Sequence, residues 1–406
     1  MGPRAGGCAP PASRPALEVA DIARGHGAAL ARERALGPEQ RKVLGALVRC
    51  RTAALGGHLD VCDSCDYERP SYNSCRNRHC PKCQALAQHR WLEARRARIL
   101  PVHHFHVVFT LPPALRPVVQ QNRRLLYTLL FRSGPAALLE LAADSKHLGA
   151  QLGLTAVLHT WSRDLSFHPH LHCVVTGGGL DERGQWKGTR PGFLLPVRVL
   201  GRLFRGKWVA ALRQLYDGGQ LELRGRCADL ADPDAFGRWL DRLAERDWVV
   251  YCKPPFGGAD EVYAYLGRYT HRVGISNHRL LSLTDRAVTF RTRHGKTASL
   301  PPEQFLSRFV SHVLPPGFVR IRHYGLLASG NVHTRLEQAR AALEAERYPA
   351  PRTEPDPDDD PEPGNEPEYV RLMRALTGVD LRRCPRCRCA ALQRQPLSSA
   401  RSRDPP

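Results

Sequence analysis

Two short cysteine pairs restrict how the first hundred residues of this chain can fold. Cys62 and Cys65 form one pair, Cys80 and Cys83 form the other, and fourteen residues separate the pairs. Two intervening residues let both thiolates of a pair reach one ion, and four such thiolates match a tetrahedral structural zinc site. Buried free cysteines are a poor alternative, because the segment is short, polar and rich in Arg and Asn. We therefore predict a small domain folded around Zn²⁺.

Further metal-ligating and basic residues are interleaved with these pairs. A possible second zinc site of two cysteines and two histidines, for which simple packing is the alternative, consists of Cys50, His58, Cys75 and His79. Arg76 and Arg78 lie in the same segment, where exposed guanidinium groups suit contacts with DNA phosphates. The sequence thus predicts that the zinc-binding domain also binds DNA.

A third group of cysteines lies near the C-terminus. Cys384 and Cys387 repeat the two-residue spacing, and Cys389 follows them. Two thiolates are half of a tetrahedral ligand set. Another segment or another subunit could complete the set, but we expect that this group binds no metal within this chain alone.

The charge of the chain indicates the class of ligand. The formal net charge is +21, although residues 350–368 contain eight acidic residues and one arginine. The excess of positive charge in the rest of the chain indicates that its ligand is a polyanion, most simply nucleic acid. The alternative is a basic protein that is merely soluble. No stretch approaches the roughly 18 uninterrupted apolar residues of a membrane span, and the N-terminus lacks the apolar run of a signal peptide. We therefore expect a cytoplasmic protein with no membrane partner, in which clustered cysteines bind metal.

The hydrophobic pattern predicts an α+β fold. Strands are expected at 103–112, 152–161 and 169–179, and the helix between the first two is expected to break at Gly134-Pro135. Strand, helix, strand, strand, helix is the order of a split βαβ sheet with helices on one face. The predicted organisation is a leader over 1–15, a helical and zinc-binding domain over 16–100, an α+β domain over 101–330, a helix over 331–348, an acidic proline-rich linker over 349–369 and a basic cysteine-containing tail over 370–406.

A histidine pair in the third predicted strand could hold a divalent ion. His170 and His172 are two residues apart, so their side chains share one face of a strand. The motif is weak by itself, and a competing copy exists at 104–106. We favour the second copy because an apolar strand and a glycine turn follow it. The third metal ligand stays open among His159, Asp164 and His168.

A tyrosine pair follows about ninety residues after the histidines. Tyr265 and Tyr269 are one turn apart in a predicted helix and share a face, whereas Tyr263 points elsewhere. By itself, such a pair is more typical of aromatic side chains that pack in a core or lie on a surface without a catalytic role. With a metal that polarises a phosphodiester oxygen, however, a tyrosine hydroxyl can attack phosphorus and form a covalent intermediate. Phosphate contacts, or alternatively a solvated basic face, are expected from Arg268, His271 and Arg272.

Several segments together resemble a known protein family. They are CRTAALGGH, YNSCRNRHCPKCQ, FHVVFTLP, HPHLHCVVTGGG and YLGRYTHRVGISNHRL, and they extend from about residue 50 to about residue 327. The chain resembles the rolling-circle, two-tyrosine transposases of bacterial insertion sequences, of the IS91 type, within the HUH nuclease superfamily. The resemblance implies a ferredoxin-like HUH nuclease domain preceded by a small zinc-binding domain.

The resemblance also implies a reaction and the residues that perform it. His170 and His172 would bind catalytic Mg²⁺ or Mn²⁺, and Tyr265 and Tyr269 would form 5′-phosphotyrosine links. The expected function is a bacterial transposase that nicks and rejoins single-stranded DNA at insertion-sequence ends. A rolling-circle replication initiator or a relaxase would use the same chemistry. A catalytically degenerate, zinc-dependent DNA-binding protein would bind DNA without cutting it.

Overall fold

The chain begins with two helices and a small hairpin. The computed structural model describes residues 15–96, 98–256, 274–346, 368–377, 379–390 and 392–399. Its first elements are α1 (Val19–Glu33), α2 (Pro38–Arg49), β1 (Gly57–Cys62), β2 (Glu68–Tyr72) and α3 (Ala85–Arg96). Pro38 opens α2, because a proline in the first turn of a helix sacrifices no hydrogen bond.

Strands and helices alternate in the middle of the chain. The strands are β3 (His104–Thr110), β4 (Gln151–Trp161), β5 (Phe167–Leu180), β6 (Trp186–Gly188) and β7 (Val250–Phe256). The helices are α4 (Arg116–Gln121), α5 (Arg123–Ala143), α6 (Val197–Asp217) and α7 (Pro233–Glu245). The three strands predicted in this region are confirmed, and β5 continues through Pro169 back to Phe167.

The remaining strands and helices lie after residue 274. They are β8 (Leu280–Leu283), β9 (Val288–Arg291), β10 (Thr297–Leu300), α8 (Pro302–Ser311), β11 (Ile321–Gly325), α9 (Arg335–Glu346), α10 (Glu368–Thr377) and β12 (Leu392–Leu397). The largest sheet has the strand order β11-β4-β5-β3-β7, with β6 paired to β5. Two smaller sheets have the orders β10-β9-β8 and β12-β1-β2. The paired strands are antiparallel in all three sheets. The predicted α+β class is confirmed.

The two faces of the largest sheet differ in chemistry. On β5, Leu171, Cys173 and Val175 are fully buried and face α5 and α6, which pack on that side. Burying an aliphatic side chain contributes roughly 1.5–3 kcal/mol, so this apolar face supplies much of the stability of the sheet. Because side chains alternate along a strand, His170 and His172 lie on the opposite face, away from these helices.

Helix α5 does not break where the sequence predicts. It runs unbroken through Gly134 and Pro135. A proline inside a helix removes the hydrogen bond to the carbonyl four residues earlier, here that of Phe131. The hydroxyl of Tyr324 on β11 donates to this carbonyl at 2.8 Å, so tertiary packing satisfies it. Among the described helices only α5 has the length and apolar composition of a membrane span, and 67% of its most apolar window is buried.

The N-terminal helices share a core with a later part of the chain. Helices α1 and α2 pack against α8, and the cluster includes Val19 and Leu44 together with Phe290, Phe305 and Phe309. Lys82, between the two cysteines of the second pair, forms a mostly buried ion pair with Glu18 at the start of α1. The cysteine-rich segment is thus held against the β8–β10 sheet.

Gly325 provides a test of how β11 is held against β4. It has a left-handed φ of +59°, and a Cβ there would lie 1.8 Å from the Leu152 carbonyl oxygen. We expect Gly325→Ala to lower the free energy of unfolding by at least about 2 kcal/mol, because both the backbone and the strand pairing are strained. The control is Gly330→Ala, where a Cβ meets nothing within 4 Å. Thermal unfolding of both variants measures the difference, and equal midpoints would contradict the described pairing.

Candidate active site

Three imidazoles converge on the face of the sheet that α5 and α6 leave open. In the antiparallel register of β4 and β5, His159 lies directly opposite His170. One ring nitrogen of each of His159, His170 and His172 lies within 4.8 Å of the other two. Three imidazole nitrogens with an open fourth side are a ligand set suited to a divalent transition-metal ion. The structure therefore brings the two predicted ligands together with His159.

The other two candidates for the third ligand are engaged elsewhere. Asp164 accepts hydrogen bonds from Ser162 and Ser166 and lies 3.6 Å from the guanidinium of Arg308. His168 lies on the same strand as His170, but its Nδ1 is 3.0 Å from an Arg116 nitrogen. Neither residue belongs to the described group of three histidines. His159 is the geometric choice.

The two predicted histidines are prepared for binding a cation. The Nδ1–H of His170 donates to the His168 carbonyl at 2.6 Å, so the lone pair of His170 is on Nε2. Burial lowers the pKa of His170 to about 4 and the pKa of His172 well below 6.5. Both rings are therefore neutral at pH 7, which metal coordination requires.

A fourth histidine comes from the copy of the motif that the sequence analysis set aside. His106 Nε2 lies 2.8 Å from His172 Nδ1, and the two rings stack at 5.0 Å. This contact arises because β3 is the other antiparallel neighbour of β5. A hydrogen bond to one ring nitrogen of a histidine holds the ring so that its other nitrogen faces the metal. His104 is buried and its Nδ1–H donates to the Val102 carbonyl, so it is not part of the cluster.

A basic cleft surrounds the histidines. Its volume is about 1280 Å³, and its lining combines the open face of the sheet with the β9–β10 hairpin. Exposed cations at its rim are Arg163, Lys253, Arg293 and Lys296. Lys253 lies on β7, Arg163 in the turn between β4 and β5, and the other two in the turn between β9 and β10. Because they follow no motif, they could not be predicted from the sequence. Together they suit a phosphate backbone.

The cysteine pairs group differently from the prediction. Cys80 and Cys83 lie with Cys50 and Cys75, and the four sulfurs are mutually within 4.8 Å. Cys62 and Cys65 lie instead beside the C-terminal tail. The prediction that both pairs bind a single ion is therefore wrong, because β1 and β2 separate the first pair from the second in space. The sulfurs of Cys50 and Cys80 are 3.6 Å apart, close to the roughly 3.8 Å between thiolates on tetrahedral zinc.

The two histidines assigned to the possible second zinc site lie elsewhere. His58 Nε2 is 3.6 Å from Asp60 on β1. His79 is buried, and its Nε2 accepts a hydrogen bond from the Leu314 backbone at 3.4 Å. The predicted grouping of two cysteines with two histidines is therefore also wrong. Its cysteines, Cys50 and Cys75, instead lie with Cys80 and Cys83 in a group of four that could hold one Zn²⁺.

The predicted DNA contacts have different environments. Arg76 is exposed, as a phosphate contact requires. Arg78 donates to the carbonyls of Phe318 at 2.8 Å and Pro315 at 3.3 Å, so it also attaches the zinc-binding segment to the loop after α8. Five predicted site residues lie outside the described residues: Tyr265, Tyr269, Arg268, His271 and Arg272.

Comparisons with known proteins identify relatives of this chain. Residues 153–335 match a family model described as "Putative transposase", and residues 22–111 match one described as "Transposase zinc-binding domain" of IS91 elements. The "Putative transposase y4qJ" of Sinorhizobium fredii is 48% identical over 92% of this chain and 94% of its own length. The "Transposase for insertion sequence element IS801" of Pseudomonas savastanoi is 30% identical over 70% of this chain and 69% of its own length. No solved structure matches.

The choice of His159 over His168 can be tested directly. We expect His159→Ala to weaken Mn²⁺ binding by at least about tenfold, because one of three ligands is lost. His168→Ala is the matched control, and we expect it to change the affinity less than about threefold. Isothermal titration of Mn²⁺ into the zinc-loaded protein measures both variants. A stronger loss in the His168 variant would overturn the ligand assignment.

Proposed function

Because this chain belongs to the IS91 family of insertion-sequence transposases, we propose that it nicks and rejoins single-stranded DNA at element ends through 5′-phosphotyrosine intermediates. The observation that carries this proposal is the group of His159, His170 and His172 on the floor of a basic cleft. Because the substrate is DNA within a bacterial cell, we place the protein in the cytoplasm. The interleaved strand order of the central sheet supports the ferredoxin-like HUH assignment.

In the proposed site, the histidines bind the metal ion and the basic residues bind the DNA backbone. His159, His170 and His172 would hold Mg²⁺ or Mn²⁺, which when bound polarises a phosphodiester oxygen as a Lewis acid. Their strands and hydrogen bonds fix their orientation before DNA arrives. Lys253 and Arg293 at the rim attract the phosphate backbone and neutralise charge near the scissile phosphate.

Tyr265 and Tyr269 are the proposed nucleophiles. The tyrosine hydroxyl gives up its proton as its oxygen bonds to phosphorus, and the bond from phosphorus to the 3′ oxygen breaks. The 3′ oxygen takes up a proton and leaves as a hydroxyl, and the bond energy is retained in the 5′-phosphotyrosine. A second strand's 3′ hydroxyl then reverses this step and releases the tyrosine. The described residues that flank the tyrosine segment support the assignment, since Lys253 before it and Gly274 after it both line the cleft.

Two other functions stay as alternatives. A replication initiator or relaxase would use the same groups, and the family membership favours transposition over both. A degenerate DNA-binding protein would need no preorganised site. The convergence of three imidazoles, of which burial keeps His170 and His172 neutral, favours catalysis, because a protein that only bound DNA would gain nothing from desolvating them.

The tyrosine assignment predicts a covalent adduct. We expect the protein with Mn²⁺ to attach to a labelled oligonucleotide that carries the element end and its flank. The double variant Tyr265→Phe with Tyr269→Phe should form no adduct, because neither hydroxyl remains. Tyr263→Phe is the matched control and should retain the adduct. Denaturing electrophoresis measures attachment; an intact adduct in the double variant refutes the assignment, and binding without any wild-type adduct supports the degenerate alternative.

His106 is proposed as a positioning residue for His172. We expect His106→Ala to reduce adduct formation about 10- to 100-fold at limiting Mn²⁺, because the ring of His172 loses its orienting partner. Higher Mn²⁺ should restore part of the rate. His323→Ala is the control: His323 lies on β11 and bonds Thr155 at 3.0 Å, away from the cluster. A loss that Mn²⁺ does not alter, or an equal loss in the control, would contradict the positioning role.

A further inference from the structure

Four cysteines from opposite ends of the sequence meet at one place. Cys62 is the last residue of β1 and Cys65 lies in the turn after it, whereas Cys384 and Cys387 lie just before β12. Their four sulfurs are mutually within 4.8 Å, and the Cys65–Cys384 and Cys62–Cys387 pairs are each 3.6 Å apart. These separations are close to the roughly 3.8 Å expected between thiolates on tetrahedral zinc and far from the roughly 2.05 Å of a disulfide.

The two cysteine pairs have the same local backbone form. The residue after each second cysteine has a left-handed φ, 51° at Asp66 and 60° at Arg388. A backbone N–H points at the first sulfur of each pair, from Ser64 to Cys62 and from Arg386 to Cys384 at 3.4 Å. Such N–H donors stabilise thiolates over thiols. Both pairs are therefore shaped to present two thiolates to one ion.

The strand after the second pair docks on the strand before the first. β12 pairs with β1 over six residues, from Gly57 opposite Leu397 to Cys62 opposite Leu392. Arg394 bonds the buried carboxylate of Asp60 at 3.1 Å. Arg386 also donates to the Cys65 carbonyl at 3.2 Å. The tail thus completes both the sheet and the ligand set of the hairpin.

We propose that Cys62, Cys65, Cys384 and Cys387 bind a second Zn²⁺ that clasps the C-terminal tail to the zinc-binding domain. Soft thiolates in a tetrahedral set select zinc over Mg²⁺ or Mn²⁺. The two pairs are 319 residues apart in sequence, so the ion closes nearly the whole chain into a loop. Cys62 and Cys65 would be the other segment that completes the half ligand set of the tail, so the proposal departs from the expectation that the tail binds no metal within this chain alone.

Cys389 lies next to the four proposed ligands but is not one of them. Its sulfur is 3.3 Å from that of Cys62 and 3.1 Å from that of Cys387. One residue separates it from Cys387, so it cannot form the two-residue loop that the other pairs share. It therefore lies beside the proposed ligand set and provides a matched control.

Cobalt substitution tests the proposed ligands in the full chain. The sulfur-to-cobalt charge-transfer band reports thiolate sites and excludes the histidine site. We expect two thiolate-bound equivalents in the wild-type protein and in Cys389→Ser, and one equivalent with half the absorbance when Cys384→Ser and Cys387→Ser are combined. One equivalent in the wild type, or loss of an equivalent in Cys389→Ser alone, would overturn the assignment.

A cleavable linker tests the clasp without altering any cysteine. A protease recognition sequence inserted between residues 349 and 369 separates the tail from the body after cleavage. We expect the tail fragment to co-elute with the body in gel filtration while zinc is present and to separate after chelation. Separation in the presence of zinc, or co-elution after the zinc is removed, would show that no zinc clasp holds the tail.

Discussion

The antiparallel pairing of β4 with β5 is the interaction on which the candidate active site depends. It places His159 opposite His170 and keeps His172 on the same face. Side chains alternate along a strand, so a slip of one residue would turn His159 toward α5 and the apolar core. The buried residues on that other face, among them Leu158 and Leu171, make such a slip costly. The core therefore fixes the geometry of the site.

Burial within the same sheet explains why His106, His170 and His172 carry no charge at pH 7. The sheet and the β9–β10 hairpin partly enclose the rings, and burial lowers the pKa of His106 to about 3 and that of His170 to about 4. Desolvation disfavours imidazolium, and the nearby cations Lys253 and Arg293 act in the same direction. A neutral cluster beneath a basic rim can accept both a metal cation and the phosphate that the metal activates.

Cysteine clusters and packing bring together parts of the chain that are far apart in sequence. The ligand set with Cys50 and Cys80 lies in the core shared by α1, α2 and α8. The tail reaches β1 from the opposite terminus. The entropic cost of closing a loop grows only with the logarithm of its length, so sequence distance is a small obstacle to either contact. The zinc-binding segment is consequently attached to the body that carries the cleft.

The sequence alone determined the α+β class, which cysteines and histidines could bind metal, and the strongly basic charge of the chain, because these follow from residue type, spacing and periodicity. Only the tertiary structure decided which ligands combine. His159 was one of three open candidates, the copy containing His106 was set aside, and Cys62 and Cys65 were grouped with the wrong pair. Helix α5 likewise continues through Pro135 because Tyr324, almost two hundred residues later, satisfies the freed carbonyl. Spacing along the sequence indicates which nearby residues can bind the same ligand. Strand register and long-range packing determine which distant residues come into contact.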